Sequence, residues 1–336
     1  MIDGIIREDI EKIESAVKGE VFEGKRVLIT GGAGFIGSWL CDVLIDFGAE
    51  VTAVDDLSTG RLRNIDHLTR HPKFEFVQCD AGTFQSKDRI DFILHLAAHA
   101  SPEEYQTHPI ETLQASSFGS ANIAELARKN DAAVLFASTS EVYGDAEIVP
   151  TPEGYWGKVN PIGPRSCYDE GKRFAEALFM AYYRQHGLNV RIPRIFNTYG
   201  PRLREDGSYG RAMSRFIMQA LTDSPITVYG DGTQTRSFCY VTDTVTGLLL
   251  LTTCDTAKGE VVNVGNSQEI SILELAERIR RLTGCTSSLS FHQLPKDDPK
   301  RRCPDTTKLR KLARWKPETS FEDGLTRATK WFSSKA

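Results

Sequence analysis

From Lys25 onward, short apolar runs alternate with longer stretches in which apolar residues recur every three or four positions. The runs Arg26 to Thr30, Glu50 to Val54, Phe74 to Gln78, Phe92 to Leu96, Ala133 to Ala137 and Val190 to Ile195 read as strands. Helical periodicity fills the intervals near 35 to 47, 103 to 129 and 168 to 186. Such alternation predicts an α/β fold, a Rossmann-type doubly wound parallel sheet with right-handed crossovers and helices on both faces. Ligands of such sheets bind beyond the carboxyl ends of the strands.

Two flanking regions break this rhythm. Ahead of the sheet, Ile2, Ile5, Ile6, Ile10, Ile13 and Val17 stand three or four apart among charges, predicting an amphipathic helix within residues 1–22. Packing on the chain's own core is its simplest use, and a dimer-stabilising arm is the alternative. After about Pro201 loops lengthen, and Pro225 to Tyr229 and Ser288 to Phe291 stand out as isolated short strands. Ser271, with Glu274 three residues on, predicts a capping box opening a helix that reaches Leu282. The expected organisation is a Rossmann domain over residues 23–200, joined again by about 237–265. A smaller C-terminal substrate-binding region then takes 201–236 and 266–336.

Candidate chemistry begins at Gly31-Gly32-Ala33-Gly34-Phe35-Ile36-Gly37, between the apolar runs Val27-Leu28-Ile29 and Trp39-Leu40-Cys41. Glycines at 31, 34 and 37 let the backbone turn tightly and approach a pyrophosphate at the positive end of the next helix. No Walker lysine follows, which disfavours a nucleotide triphosphatase. The second strand runs into Asp55, near the offset of an acid that binds the adenosine ribose. Asp55 and Asp56 together repel a 2′-phosphate, so NAD is expected rather than NADP, with Arg61 and Arg63 close enough in sequence to counter them. Asp80 follows the third strand, placed to accept from an adenine amino group or simply to cap a turn. Leu96-Ala97-Ala98 closes the fourth strand with small residues that let a cofactor lie against the backbone. His95 and His99 do not converge at strand spacing, so no metal site is expected.

Thr139, Ser140 and Glu141 lie in a hydroxyl-rich strand end, Ala137 to Gly144, able to hydrogen-bond a sugar and stage proton transfers. Tyr168 and Lys172 stand four apart in a helix-compatible segment. A nearby ammonium and the nicotinamide charge favour the phenolate of such a Tyr, which then takes a hydroxyl proton while hydride leaves the same carbon.

The bulk composition narrows the partners. The 336 residues carry a formal net charge of -4, too near balance for nucleic-acid or membrane-surface binding to be the main task. Seven cysteines without a C-x-x-C pair indicate a reduced, cytoplasmic protein with neither zinc knuckle nor disulfide framework. The charged N-terminus carries no signal-peptide h-region, and no apolar stretch approaches the about 18 residues of a membrane span.

Longer motifs sharpen this reading. They are Ser138 to Asp145, Tyr155-Trp156-Gly157, Asn160 to Arg173, Arg194 to Arg202, Val228 to Gly232, Gln234 to Phe238 and Asp297 to Asp305. With them the chain resembles the extended short-chain dehydrogenase/reductase superfamily of nucleotide-sugar enzymes, and within it the UDP-glucuronate decarboxylase (UDP-xylose synthase) family. The likeness covers roughly Gly24 to Leu325. It implies catalytic roles for Thr139, Glu141, Tyr168, Lys172 and Arg302. It places cofactor contacts at Gly31, Gly34, Phe35, Ile36, Gly37, Asp55, Asp56, Ser58, Thr59, Gly60, Asp80, Ala81, Leu96, Ala97, Ala98, Tyr168, Lys172 and Arg202. Substrate contacts fall on Tyr105, Ser140, Asn197, Tyr229, Arg236 and Arg302, with Tyr229 near the uridine. The implied reaction oxidises C4 of UDP-glucuronate, releases the carboxylate as carbon dioxide and returns the hydride to C4. A homodimer joined through the helices around 103 to 129 and 168 to 186 is also implied.

Three departures from the family pattern bear on the fate of the carboxylate. Gln114-Ala115 stands where the family usually shows Lys-Thr, Pro193 where a small residue is usual, and Ala98-His99-Ala100 where Cys-Pro-Ala is usual. The nearest alternative is a UDP-glucuronate 4-epimerase, which needs the same Tyr, Lys and NAD but keeps the carboxylate. A 4,6-dehydratase usually carries Asp-Glu after the Thr, whereas here Ser140 precedes Glu141. A non-catalytic NAD-binding protein would not need Tyr168 and Lys172.

Overall fold

Each strand expected before residue 200 forms, within two residues of its expected bounds, in a computed structural model that describes residues 3–206 and 211–335. The chain runs α1 (Gly4–Ala16), β1 (Arg26–Thr30), α2 (Phe35–Asp46), β2 (Glu50–Asp55), β3 (Phe74–Gln78) and β4 (Phe92–His95). Then come α3 (Pro102–Thr107), α4 (Pro109–Gln114), α5 (Ser120–Asn130), β5 (Ala133–Phe136), β6 (Ser138–Thr139) and α6 (Ser166–His186). β7 (Val190–Ile195), β8 (Thr198–Tyr199), α7 (Ala212–Leu221), β9 (Ile226–Tyr229), β10 (Thr235–Ser237), β11 (Cys239–Tyr240) and α8 (Val241–Thr253) follow. The chain closes with β12 (Glu260–Val264), β13 (Glu269–Ser271), α9 (Ile272–Thr283), β14 (Leu289–His292), β15 (Arg301–Arg302), α10 (Thr307–Ala313) and α11 (Phe321–Ser333).

The main sheet has eight strands, in the order β12-β7-β5-β4-β1-β2-β3 with β6 beside β7, and every pair in it is parallel. Its central strands are nearly continuous apolar runs because helices cover both faces, and all four residues of β5 are buried. Strand order reverses between β1 and β4, and there the carboxyl ends open a crevice. Pro193 is accommodated where β7 exchanges one partner for the other. β5 pairs with Val190 and Arg191, β6 pairs with Arg194 and Ile195, and the proline lies between.

The single helix expected over 103 to 129 is instead three helices and a π-turn. His108 precedes Pro109 and takes φ -124°, ψ 61°, because a residue before proline is pushed out of the α region. Residues 115–119 then wind as a π-turn ahead of α5. The two short strands expected to be isolated pair with each other, Ile226 to Tyr229 against Leu289 to His292. At α9 the Ser271 Oγ accepts from the Glu274 N–H at 3.0 Å, but the Glu274 carboxylate turns to Arg278 rather than back to the cap.

The N-terminal helix packs on its own chain. Ile6, Ile10, Ile13 and Val17 enter the main core, while Ile2 lies outside the described residues. The buried Asp9 accepts from the Tyr240 hydroxyl at 2.6 Å and pairs with Arg327 at 2.8 Å. That core also includes Phe216, Ile226 and Leu275, so the C-terminal elements share it with the sheet. α8 returns beneath the sheet, fixed where the Asp243 carboxylate accepts from the Glu318 and Thr319 N–H groups.

Candidate functional site

A cavity of about 830 Å³ follows the crevice from the glycine turn to β15. At one end the turn folds on itself so closely that a Cβ on Gly37 would stand 2.1 Å from the Gly31 carbonyl oxygen. Gly31 holds φ +72° beside the Ala97 backbone. Gly34 caps α2 without a side-chain hydrogen bond, leaving the first-turn N–H groups to an anion. Phe35, Ile36, Ser58, Thr59, Asp80, Ala81, Leu96, Ala97 and Ala98 continue the wall. Asp55 is buried at the end of β2, its two oxygens accepting the Ala33 and Leu57 N–H groups at 3.0 and 2.9 Å. Asp56 binds Ser58, at 2.6 Å to the hydroxyl. Arg61 and Arg63 are engaged with Glu205 and Asp206, so the cations near the two acids are already paired. A cradle a Cβ would fill, an uncapped helix start and a buried acid on β2 together fit NAD.

Deeper in the cavity, α6 presents Tyr168 and Lys172 on successive turns. The Lys172 ammonium donates to the Ala137 carbonyl at 2.9 Å and lies 6.0 Å from the centre of the Tyr168 ring. Burial lowers this lysine to about 8, against a smaller upward pull from Glu176. Burial pushes the Tyr168 phenol up, and the largest opposing influence is a hydrogen bond with Thr139. The phenolate expected from the sequence depends on the nicotinamide charge as well as on Lys172, beyond what the chain's own groups supply. Thr139 is held at the end of β6, and the buried Ser140 opens the next turn, in which Glu141 follows.

Glu141 is gripped by two guanidiniums, Arg165 at 2.6 Å and Arg302 at 2.6 and 2.7 Å. Burial alone would raise this carboxyl, but Arg302 and then Arg165 outweigh it and hold it low, at about 2. Asp298 sits 3.6 Å from Arg165 and 2.9 Å from Arg236, extending the network toward Tyr229. Asn197 lines the same wall with a buried side-chain oxygen that has no hydrogen-bond partner. Next to Tyr168, burial and the nearby Glu141 push the Asp169 carboxyl well above the usual range. No cluster able to hold a metal occurs among the described residues.

Three expected contact residues do not reach this wall. Gly60 packs against the Asp55 carboxylate, where a Cβ would meet it at 2.4 Å. Arg202 turns inward to Asp42 at 2.7 Å and over Trp39, because a buried guanidinium needs a buried acid. Tyr105 is buried behind the site, its ring stacked on Tyr168 with centroids 5.2 Å apart. Conversely, Arg165 and Asp298 line the cavity although the sequence reading gave them no role. A signal was present: Arg165 occupies the N-cap of α6, where the helix dipole repels a cation and only nearby acids can hold it.

The sequence profile of the NAD dependent epimerase/dehydratase family matches residues 27–265. UDP-glucuronic acid decarboxylase 1 of Xenopus tropicalis is 48% identical over 92% of this chain and 72% of its own length. UDP-glucuronic acid decarboxylase 5 of Arabidopsis thaliana is 46% identical over 89% of this chain and 87% of its own. The chain belongs to the UDP-glucuronic acid decarboxylase family. Solved structures of similar shape include an epimerase from Methanothermobacter thermautotrophicus, with TM-score 0.87, 28% identity and 96% of both chains covered. A UDP-glucuronic acid 4-epimerase from Bacillus cereus, in complex with UDP-glucuronic acid and NAD, superposes with TM-score 0.83. It is 28% identical, over 93% of this chain and 100% of that one.

Two of the departures from the family pattern reach the site. Ala98, His99, Ala100 and Gln114 all line the cavity. The His99 Nδ1 is buried without a hydrogen-bond partner. Pro193, by contrast, is buried within β7 and off the cavity wall.

Proposed function

We propose that this chain converts UDP-glucuronate to UDP-xylose through a 4-keto sugar. The observation that carries the reading is the juxtaposition, in one cavity, of the Tyr168–Lys172 pair with Glu141 clamped by two arginines. Family membership supports it, since the decarboxylase relatives match nearly the whole chain.

NAD, bound along the glycine turn, supplies a reversible hydride acceptor for C4. Tyr168, as the phenolate, takes the C4 hydroxyl proton, and Thr139 aligns its oxygen through their hydrogen bond. Lys172, anchored on Ala137, and the nicotinamide charge favour that phenolate before the proton arrives. A ketone at C4 makes the C6 carboxylate a β-keto acid, so carbon dioxide leaves as charge moves onto the C4 oxygen. The Tyr168 phenol, now protonated, faces that oxygen and stabilises the enolate. C5 must then regain a proton on one face. Glu141, ionised between Arg165 and Arg302, serves by orienting water there rather than by donating its own proton. Asn197, with its unpartnered oxygen, accepts from a sugar hydroxyl, and Tyr229 lies toward the uridine. Mass spectrometry of purified protein with UDP-glucuronate tests this reading. A product that has lost carbon dioxide supports it, and a product of unchanged mass favours the 4-epimerase.

The same reading makes the chain a homodimer. Ile110 on α4, Phe118 in the π-turn and Phe174 on α6 are 65%, 67% and 50% exposed, and Leu113 of α4, 43% exposed, lies beside Phe174. Monomers seldom leave such patches open to water.

A further inference from the structure

We infer that Arg165 recognises the substrate's C6 carboxylate, which makes it the residue that separates a uronate from a neutral hexose. The inference rests on the proposed UDP-glucuronate substrate and adds the residue that selects it.

Arg165 stands where a cation is costly. It caps the N-terminus of α6, and its side chain is only 5% exposed. Structural needs could be met by Asp298 and the Tyr105 ring, whose centre lies 5.8 Å from the guanidinium carbon. The Tyr105 ring is in turn stacked on Tyr168, so one ring touches both the guanidinium and the proton-transfer group. Arg165 also shares a helix turn with Tyr168, whose N–H donates to the Arg165 carbonyl at 3.0 Å. Recognition of the acid and transfer of the proton are thereby fixed to one rigid element.

Glu141 shows what this pair of arginines binds. A single carboxylate is held by Arg165 and Arg302 from two sides. Capacity remains, because each guanidinium carries five donors and the Arg302 Nε is buried with no acceptor. Arg165 and Arg302 together meet the one carboxylate of Glu141, and Asp298 lies 3.6 Å from Arg165. On the sugar ring, C6 is borne by the carbon next to C4, so a C4 hydroxyl at Tyr168 brings the acid to this arginine side. Competition from Glu141 keeps the grip loose enough for carbon dioxide to leave.

The test compares UDP-glucuronate with UDP-glucose, which carries a neutral hydroxymethyl group in place of the carboxylate. Both are titrated by calorimetry into NAD-loaded protein, unmutated, Arg165→Gln and Arg165→Lys. Loss of a charged hydrogen-bonding partner should weaken UDP-glucuronate by about 10- to 100-fold in Arg165→Gln and UDP-glucose by less than about threefold. Arg165→Lys, which keeps the charge, should give a smaller loss confined to UDP-glucuronate. Equal losses for both ligands would overturn the inference, because Arg165 would then serve the diphosphate or the fold. Unchanged affinity for both would overturn it as well. A 4-epimerase outcome in the product assay would remove the proposed reaction while leaving this binding ratio to decide Arg165 by itself.

Discussion

Tyr168 is buried enough that its phenol is pushed up rather than down, so its reactivity depends on partners a few ångströms away. Tyr168→Phe keeps the ring stacked on Tyr105 and removes only the proton acceptor. Turnover of UDP-glucuronate should fall by about 10²- to 10⁴-fold with UDP affinity nearly unchanged, a split that steady-state kinetics and calorimetry measure together. Asp169 yields a pH prediction. Its carboxyl keeps a proton in the folded chain that the unfolded chain loses from about pH 4 upward. In that window the folded state binds more protons, so this group destabilises the fold increasingly as pH rises. Asp169→Asn should therefore gain stability over the unmutated protein, more at pH 7 than at pH 5, by about 1 kcal/mol per pH unit in denaturant unfolding. A gain independent of pH would show that Asp169 ionises normally.

At the scale of elements, α6 divides its labour by face. Its buried side carries Tyr168, Lys172 and Glu176, and Glu176 is fixed by Ser138 at 2.5 Å and Arg194 at 2.7 Å. Its outer side carries the half-exposed Phe174 near the apolar residues of α4 and the π-turn. If that face joins two copies, Phe118→Asp with Phe174→Asp should halve the mass seen by light scattering at micromolar protein, and leave the circular dichroism of the fold intact. A monomeric mass for the unmutated chain would contradict the proposed dimer. The segment 102–130 shows how far periodicity reaches. Its three-and-four spacing was legible, but the break at His108 depends on the clash a proline imposes on its predecessor, and the π-turn at 115–119 left no periodic mark.

For the molecule as a whole, cofactor choice follows from charge set around one crevice. Asp55 and Asp56 stand at the end of β2, and the nearby Arg61 and Arg63 are held by Glu205 and Asp206. NAD should bind at least about tenfold tighter than NADP, equivalent to about 1.4 kcal/mol, when the two are titrated by calorimetry. Equal affinities would mean that those arginines leave their acids to meet a 2′-phosphate. The sequence by itself determined the parallel sheet, the glycine turn and the positions of Tyr168, Lys172 and Asp55. Each of these is a local matter of period, backbone freedom or spacing along a helix. It also placed Thr139, Glu141 and Arg302 in recognisable motifs, without showing that they meet. Tertiary structure alone decided that Glu141, 24 residues from Arg165 and 161 from Arg302, lies between them as an ion. It decided, too, that Arg202 turns into the core and that Tyr105 backs the Tyr168 ring. Such outcomes depend on which distant charges share a low-dielectric space, and separation along a chain carries no record of that.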